Sequence, residues 1–297
     1  MTDMRPYLGI ARAPFLLLPV TLVAAGAGAA AYEGRFSWLA TGLALLGLLL
    51  LHAAVNALNE ASDMRSGIDT MTERTPFSGG SGTLPAGLLS ARTAHAFGLV
   101  CAALGGLIGL WFLPRVGWPL VPVMVLGAAA VLFYTEIFAR AGVGELFAGL
   151  GLGLLPVWGT SLVQGGSPGV TSLAASWPAF FMTFNLLLLN EFPDEPADRK
   201  GGRRNLVLLF GRPAAARIYA LAALLVPACL AVAVILGVLP PLALVAVLPS
   251  LLLGKPLQWA LARPTEPVPI PALAANVIWN LATNALLGIA LFIAART

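Results

Sequence analysis

The sequence predicts an all-α fold, a polytopic membrane helical bundle of about nine transmembrane helices around a central cavity, with two related halves. Three observations predict it. Hydrophobic residues make up 59% of the chain and charged residues only 10%, with a mean hydropathy of +0.88, whereas about a quarter of the residues of a soluble domain are charged. Apolar runs of spanning length recur, and one polar motif occurs twice. We expect a single intramembrane domain over residues 1–297.

Nine apolar runs give the predicted helices in chain order. A spanning helix needs about 20 predominantly apolar residues. The runs lie near residues 11–31, 37–62, 93–113, 117–139, 143–165, 171–193, 214–237, 240–262 and 272–294. The first run follows Arg5 and Arg12, as in a signal peptide, but the later runs favour a first transmembrane helix over a cleaved leader.

The basic residues orient these helices. Lys and Arg are retained on the cytoplasmic side of a membrane. With the N-terminus inside, 14 of the 17 basic residues are cytoplasmic, and Arg35, Arg115 and Arg296 lie outside. This bias predicts an integral membrane protein with its N-terminus and acid-rich loops in the cytoplasm, and we expect the membrane to be the bacterial inner (cytoplasmic) membrane. Because topology explains the net charge of +4, we expect no nucleic-acid partner.

The repeated motif is LNEASD at residues 58–63 and LNEFPD at residues 189–194. Each copy ends an apolar run and is followed by further acids and then by Arg and Lys. A duplicated membrane unit often forms its site where the two repeats meet. The two motifs therefore predict one shared site.

Polar residues recur on one face of the second and sixth predicted helices, at spacings close to 3.6 residues per turn. On the second helix they are His52, Asn56, Asn59 and Asp63. On the sixth they are Thr183, Asn190 and Asp194. We expect Pro193 and Pro196 to kink or end the sixth helix, which leaves Asp198 on the exiting segment.

Acids at these positions require compensation. An ionised Asp at the bilayer centre costs about 2.5–3.5 kcal/mol, and clustered carboxylates repel one another. Mg²⁺ binds carboxylate and amide oxygens and leaves positions for phosphate oxygens, which Arg and Lys also bind. The order of acids and bases thus predicts a magnesium-diphosphate site. Mutual pairing of surface charges would explain one such cluster but explains two near-copies less well.

Three further patterns leave alternatives open. Residues 74–82, RTPFSGGSG, form either a flexible turn or a loop whose amides bind an anion. Tyr134, Arg140 and Glu145 flank the connection after the fourth helix, and the sequence leaves open whether they contact the cavity mouth. A four-residue repeat of Asn in the last helix favours interhelical hydrogen bonds over a substrate-binding wall, and its members are Asn276, Asn280 and Asn284.

At these motifs the chain resembles the UbiA-type intramembrane prenyltransferases, whose two aspartate-rich motifs end the second and sixth of nine helices. Residues 58–69, LNEASDMRSGID, are similar to the first motif of the 1,4-dihydroxy-2-naphthoate polyprenyltransferase branch, although Glu60 replaces the commoner Asp or Asn. Residues 190–211, NEFPDEPADRKGGRRNLVLLFG, are similar to the second motif. The segment from Tyr134 to Gly159 also resembles that branch.

The resemblance implies transfer of a polyprenyl group from its diphosphate to an aromatic acceptor, 1,4-dihydroxy-2-naphthoate or a related quinone precursor, in the lipid bilayer. It implies Mg²⁺ as cofactor and four catalytic acids, Asp63, Asp69, Asp194 and Asp198. The implied metal ligands are these four with Asn59, Asn190 and Glu191. The implied substrate-binding residues are Arg65, Arg74, Ser78, Tyr134, Arg140, Arg199, Lys200, Arg203 and Arg204.

Three other functions remain possible from the sequence. A membrane terpene cyclase would use the same diphosphate site. A related transferase would act on homogentisate, 4-hydroxybenzoate, haem or a glycerol phosphate. A cation-coupled transporter also carries acids in repeated halves, but transporter sites lie near the midplane, and here the acids cluster with Arg and Lys at the cytoplasmic helix ends.

Overall fold

The computed structural model describes residues 3–166 and 169–296. Helices make up 80% of the chain, and the described residues contain no strand. The α-helices are α1 Arg5–Ile10, α2 Leu17–Tyr32, α3 Trp38–Ser66, α4 Ile68–Met71, α5 Ala91–Val116, α6 Leu120–Leu132, α7 Ala139–Ala141, α8 Gly144–Gly149, α9 Leu155–Leu162, α10 Val170–Gly201, α11 Leu206–Phe210, α12 Arg212–Ile235, α13 Gly254–Ala262 and α14 Ile270–Ala294. The all-α prediction is confirmed.

Among the described residues, eight helices are long and apolar enough to cross a membrane, and a bent pair gives a ninth span. The bent pair, Leu120–Leu132 and Tyr134–Ala141, turns by 67°. Its second part begins with a π-helical segment, Tyr134–Phe138, and a second π-helical segment occurs at Leu150–Leu154. Because π-helical turns interrupt the regular hydrogen-bond ladder, they are common where helices bend and near functional sites.

Small residues allow α2 to pack closely between α9 and α14. A Cβ atom added to Gly26 would lie 2.3 Å from the Val157 carbonyl oxygen, and one added to Gly28 would lie 2.5 Å from the Gly288 carbonyl oxygen. Helices in a membrane associate largely through such close backbone packing, since lipid offers no hydrophobic driving force. Gly26 and Gly28 therefore allow α2 to pack closely against both α9 and α14.

The expectation that Asp198 lies on a segment beyond the helix is wrong, because α10 continues through Pro193 and Pro196 to Gly201 and includes Asp198. A proline at position 196 frees the carbonyl of residue 192 from its helical hydrogen bond. Arg212 on α12 replaces that bond, since its Nη1 donates to the Phe192 oxygen at 3.1 Å. A contact from another helix thus allows α10 to carry Asp198 on a regular turn.

Buried polar side chains join the second half of the bundle. The Tyr219 hydroxyl on α12 donates to Asn276 Oδ1 on α14 at 3.0 Å, and Asn276 Nδ2 donates to the Asn185 carbonyl on α10 at 3.2 Å. Asn185 Nδ2 in turn donates to the Tyr219 carbonyl at 3.0 Å. These bonds fit interhelical packing, the alternative that the sequence favoured for Asn276.

Candidate active site

A cavity of about 170 Å³ lies between α3, α4, α10 and the loop that follows α4. All seven predicted metal ligands line it, as do three of the nine predicted substrate-binding residues, Ser78, Tyr134 and Arg203. The polar stripe of α3, from His52 to Asp63, therefore faces the corresponding stripe of α10 across one space. The two repeated motifs contribute to the same cavity.

Four acids of this cavity each have one carboxylate oxygen without a partner. Asp69 Oδ2, Glu191 Oε2, Asp194 Oδ1 and Asp198 Oδ1 are sealed from solvent and have no hydrogen-bond partner. Leaving a buried polar atom unpaired costs about 1–3 kcal/mol, and more if it is charged. Such oxygens suit a hard divalent cation such as Mg²⁺. Within residues 3–166 and 169–296, however, no three His, Cys, Asp or Glu side chains form a ready-made metal cluster, so a metal would have to draw them closer.

Arg203 connects the acids of the two halves. Its Nη2 donates to both carboxylate oxygens of Asp63 on α3, to Oδ2 at 2.6 Å. Its Nε lies 3.7 Å from Asp198 Oδ1 on α10. Burial disfavours the guanidinium charge, but the carboxylates of Asp63 and Asp198 outweigh burial and raise the pKa of Arg203 above its ordinary value. A fixed positive charge thus stands between the two motifs.

Asp69 extends the acid cluster beyond the end of α3. It lies on α4, which follows the left-handed Gly67 at φ 81°. Burial, together with the nearby carboxylates of Asp63 and Glu60, raises the pKa of Asp69 to about 7. A second positive charge at this position would relieve the repulsion between these groups. The electrostatics of Asp69 therefore also fit a cation site.

The structure places six predicted substrate-binding residues outside the cavity lining. They are Arg65, Arg74, Arg140, Arg199, Lys200 and Arg204. Arg65 and Arg140 pair instead with Glu136, at 3.0 and 3.7 Å, and all three side chains are about half exposed.

Arg199 similarly pairs with Glu195 at 3.0 Å, and Arg74, Lys200 and Arg204 are exposed. The reason is geometric, because long side chains at helix ends turn toward solvent unless a buried partner holds them. The predicted grouping of these residues as a diphosphate clamp is not seen in the structure.

Two residues of the site were missed as site residues. Arg12, treated only as a topology signal, lines the cavity and donates from Nε to Glu60 Oε1 at 2.9 Å. Glu145, left undecided, is buried and accepts a hydrogen bond from the Leu206 amide at 2.6 Å, which anchors the segment that carries Arg203. The signal for Arg12 was available, since a buried acid such as Glu60 requires a cationic partner.

A second cavity of about 220 Å³ adjoins the first and is almost wholly apolar. It lies among α3, α5, α6 and α9, and it shares His52 and Leu152 with the acid-lined cavity. A polar compartment at the ends of two repeated helices therefore opens beside an apolar compartment deeper in the bundle.

The protein is thus an integral membrane helical bundle. Its two repeats contribute acids to one polar cavity, which lies beside an apolar cavity. The chain belongs to the UbiA prenyltransferase family, whose model matches residues 17–282. It is similar to 1,4-dihydroxy-2-naphthoate octaprenyltransferase of Bacillus subtilis, with 26% identity over 179 residues. That match covers 59% of this chain and spans 56% of the relative's length.

Solved structures that share the fold include two UbiA homologues. A UbiA homologue from Aeropyrum pernix K1, solved in its apo form, is 18% identical with a TM-score of 0.70, over 94% of this chain and 98% of that one. A UbiA homologue from Archaeoglobus fulgidus, bound to DMAPP and Mg²⁺, is 17% identical with a TM-score of 0.66, over 97% and 99% of the two chains. At these identities the likeness concerns the fold.

Proposed function

We propose that this protein transfers a polyprenyl group from a prenyl diphosphate to an aromatic acceptor, 1,4-dihydroxy-2-naphthoate or a related quinone precursor, in a Mg²⁺-dependent reaction. The observation that carries the proposal is the single cavity in which both acid motifs meet, with four unpaired carboxylate oxygens and Arg203 between them. The family, the naphthoate activity of the Bacillus subtilis relative and the DMAPP and Mg²⁺ of the Archaeoglobus fulgidus homologue support it.

The carboxylates of the two motifs are the residues that would hold the metal. Asp63, Asp69, Asp194 and Asp198 would supply the charged oxygens, and Asn59, Asn190 and Glu191 would add further oxygen donors. When bound, Mg²⁺ supplies positive charge that stabilises the diphosphate as it departs.

The cavity's own side chains would hold and orient the substrate. Arg203 would donate hydrogen bonds to diphosphate oxygens, and Ser78 and Tyr134 line the same space. The assignment of the six basic residues outside the cavity lining to the diphosphate site stays a prediction. At the surface, their attraction for the diphosphate is screened by salt.

The apolar compartment serves the carbon chemistry. The bond between the allylic carbon and the diphosphate oxygen breaks, a bond to a ring carbon of the acceptor forms, and the ring proton leaves. A developing allylic cation must meet the ring before water does, so the reaction requires a chamber that excludes water. The apolar cavity beyond His52 would receive the prenyl chain.

We further propose that residues 1–297 act as one domain in a bacterial inner membrane, with the N-terminus and the acid motifs at the cytoplasmic side. The distribution of Lys and Arg supports this orientation. The charged diphosphate group would then face the cytoplasm, and the prenyl chain would enter the bundle.

The proposal is tested with purified protein in detergent, Mg²⁺, a labelled prenyl diphosphate and a panel of aromatic acceptors, with products identified by mass. We expect a prenylated acceptor that forms only with the metal present. Release of diphosphate with a cyclised hydrocarbon and no acceptor would identify a terpene cyclase instead. Cation flux into liposomes without any release of diphosphate would identify a transporter.

A further inference from the structure

Glu60 is fully buried on α3, between the predicted metal ligands Asn59 and Asp63. Its Oε1 accepts hydrogen bonds from Arg12 Nε at 2.9 Å and from the Ser81 amide at 2.6 Å. Its Oε2 accepts a hydrogen bond from the Ser81 hydroxyl at 2.8 Å. Both carboxylate oxygens are thus satisfied, one of them by a charged donor. In this respect Glu60 differs from Asp69, Glu191, Asp194 and Asp198, each of which has a carboxylate oxygen without a partner.

Three separate segments of the chain meet at this carboxylate. Arg12 belongs to the N-terminal segment before α2 and is the one non-glycine among the described residues with a positive φ, 51°. Ser81 belongs to the glycine-rich loop, residues 78–82, between α4 and α5. Backbone strain at Arg12 is tolerated where surrounding contacts fix the conformation, and its bond to Glu60 is such a contact.

The glycine-rich loop forms the cavity wall beside Asp69. Gly79, Gly80 and Gly82 have φ values of 83°, 74° and 78°, a conformation that residues with a Cβ rarely adopt. A Cβ atom on Gly80 would lie 2.8 Å from Asp69 Oδ1, so the loop is pressed against that carboxylate. The position of Ser81 therefore determines where the cavity wall stands relative to Asp69.

We propose that Glu60 is a positioning residue that holds the glycine-rich loop against Asp69 through Ser81 and Arg12, and that it is not a metal ligand. The inference rests on the proposed function for what the cavity binds. It assigns a distinct role to the acid that follows Asn59 in the first motif. The loop and Asp69 form the substrate-binding wall, and Glu60 sets their spacing.

The length of the side chain is decisive. Asp at this position is shorter by one carbon–carbon bond, roughly 1.5 Å, so hydrogen bonds of 2.6–2.9 Å would exceed bonding distance. Glu60→Asp, which introduces a commoner residue of this motif, should therefore raise the KM of prenyl diphosphate. Glu60→Gln keeps the length of the side chain and can still accept a hydrogen bond from the Ser81 amide, so it should raise this KM less.

The test compares Glu60→Asp, Glu60→Gln and Ser81→Ala with Glu73→Gln, which changes an exposed acid of the same connection. Full-length variants in detergent are assayed for the KM of prenyl diphosphate, the KM of the acceptor and kcat. Amide hydrogen exchange is followed over residues 78–84 without ligand. Mg²⁺ binding is measured by calorimetry, and thermal unfolding reports stability.

We expect Glu60→Asp and Ser81→Ala to raise the KM of prenyl diphosphate by roughly tenfold, as for loss of a charged hydrogen bond. The KM of the acceptor should stay constant, and exchange in the loop should rise. A variant that combines Glu60→Asp with Ser81→Ala should raise the KM of prenyl diphosphate no more than either single substitution, because both substitutions break one network. Glu60→Gln should fall between Glu60→Asp and the unchanged protein, and Glu73→Gln should match the unchanged protein.

Unchanged loop exchange and unchanged KM in Glu60→Asp would overturn the inference. So would weaker Mg²⁺ binding with unchanged loop exchange, since that result would make Glu60 a ligand. If Glu60→Asp does not fold, Ser81→Ala decides, because it removes one hydroxyl only. If the unchanged protein prenylates no aromatic acceptor, the proposed function fails, whereas the exchange measurement still tests the contact between Glu60 and the loop.

Discussion

Arg203 and Arg204 are adjacent, but only Arg203 is held inside the cavity, by Asp63 and Asp198. The two residues therefore form a matched pair for separating local charge from general surface charge. Arg203→Gln would leave two buried carboxylates without their cation, and breaking a buried pair costs about 3–5 kcal/mol. We expect lower thermal stability without metal, a stability deficit that shrinks when Mg²⁺ is added, and a higher KM for prenyl diphosphate.

Arg204→Gln is the control and should change the KM and stability little, since exposed charges contribute about 0–1 kcal/mol. Unfolding in detergent is measured with and without Mg²⁺ for both variants, alongside the kinetics. Equal effects of the two substitutions would contradict the role assigned to Arg203.

Asp63 and Asp194 stand at equivalent positions of the two motifs and line one cavity. Asp63→Asn or Asp194→Asn should lower turnover by about three orders of magnitude. Each substitution removes a carboxylate that would hold the metal, and the metal would stabilise the departing diphosphate. The protein should still fold in detergent, as shown by its elution as a single species. Asp3→Asn, at an exposed terminal residue, should keep full turnover. Full activity of either acid variant, or of the unchanged protein in excess chelator, would refute the metal assignment.

At the scale of elements, α10 depends on a neighbour for its continuity. Arg212 donates to the Phe192 carbonyl that Pro196 leaves free, to Glu195 Oε2 at 3.1 Å, and to the Pro264 and Glu266 carbonyls. Arg212→Gln should lower the free energy of unfolding by about 3 kcal/mol, as for loss of several charge-assisted hydrogen bonds. Turnover should fall as well, because the last turns of α10 carry Asp198.

Arg217→Gln is the matched control, since Arg217 is an exposed residue of the same helix. Reversible unfolding in mixed detergents gives the free-energy difference, and hydrogen exchange over residues 192–201 locates it. An unchanged exchange rate in this stretch of Arg212→Gln would show that α10 does not need the contact.

The sequence predicted these elements unevenly, for physical reasons. Hydropathy and period are local properties, so the spans and the ligand-bearing faces of α3 and α10 follow from the chain alone. The continuation of α10 through Pro193 and Pro196 does not, because the compensating donor is Arg212 on another helix. Local proline rules describe an isolated helix, whereas a bundle supplies partners that the rules omit.

The same distinction holds at the scale of the site. Repetition and helical spacing placed Asn59, Asp63, Asn190 and Asp194 on matching faces, and all four line the cavity. Asp69, Glu191 and Asp198 also line it, but they were implied by the family resemblance. A buried Glu60 requires a cationic partner, but the sequence does not specify Arg12 for that role, because Arg12 lies 48 residues away and shares no pattern with Glu60. Arg65 was assigned to the site from the order of acids and bases, but that order does not specify which way a flexible side chain turns at a helix end.

For the whole molecule, the arrangement of a polar cavity beside an apolar one predicts how the protein would treat prenyl chains of different length. Gly127 on α6 lines the apolar cavity, and a Cβ atom there would meet no atom within 4 Å. Gly127→Leu should therefore fill part of the cavity without displacing its neighbours. We expect the KM to rise for long prenyl diphosphates and to stay unchanged for the five-carbon substrate, whose chain would not extend past His52.

The measurement is a series of KM values over prenyl diphosphates of increasing length, with one aromatic acceptor. Gly42→Leu is the matched control, because Gly42 is exposed on α3 and also has open space around it. A uniform loss of activity at all chain lengths would indicate disturbed packing of the bundle. Unchanged KM values for the long substrates would show that the prenyl chain leaves the polar cavity by another route, since a side chain in its path raises the free energy of binding only if the chain passes there.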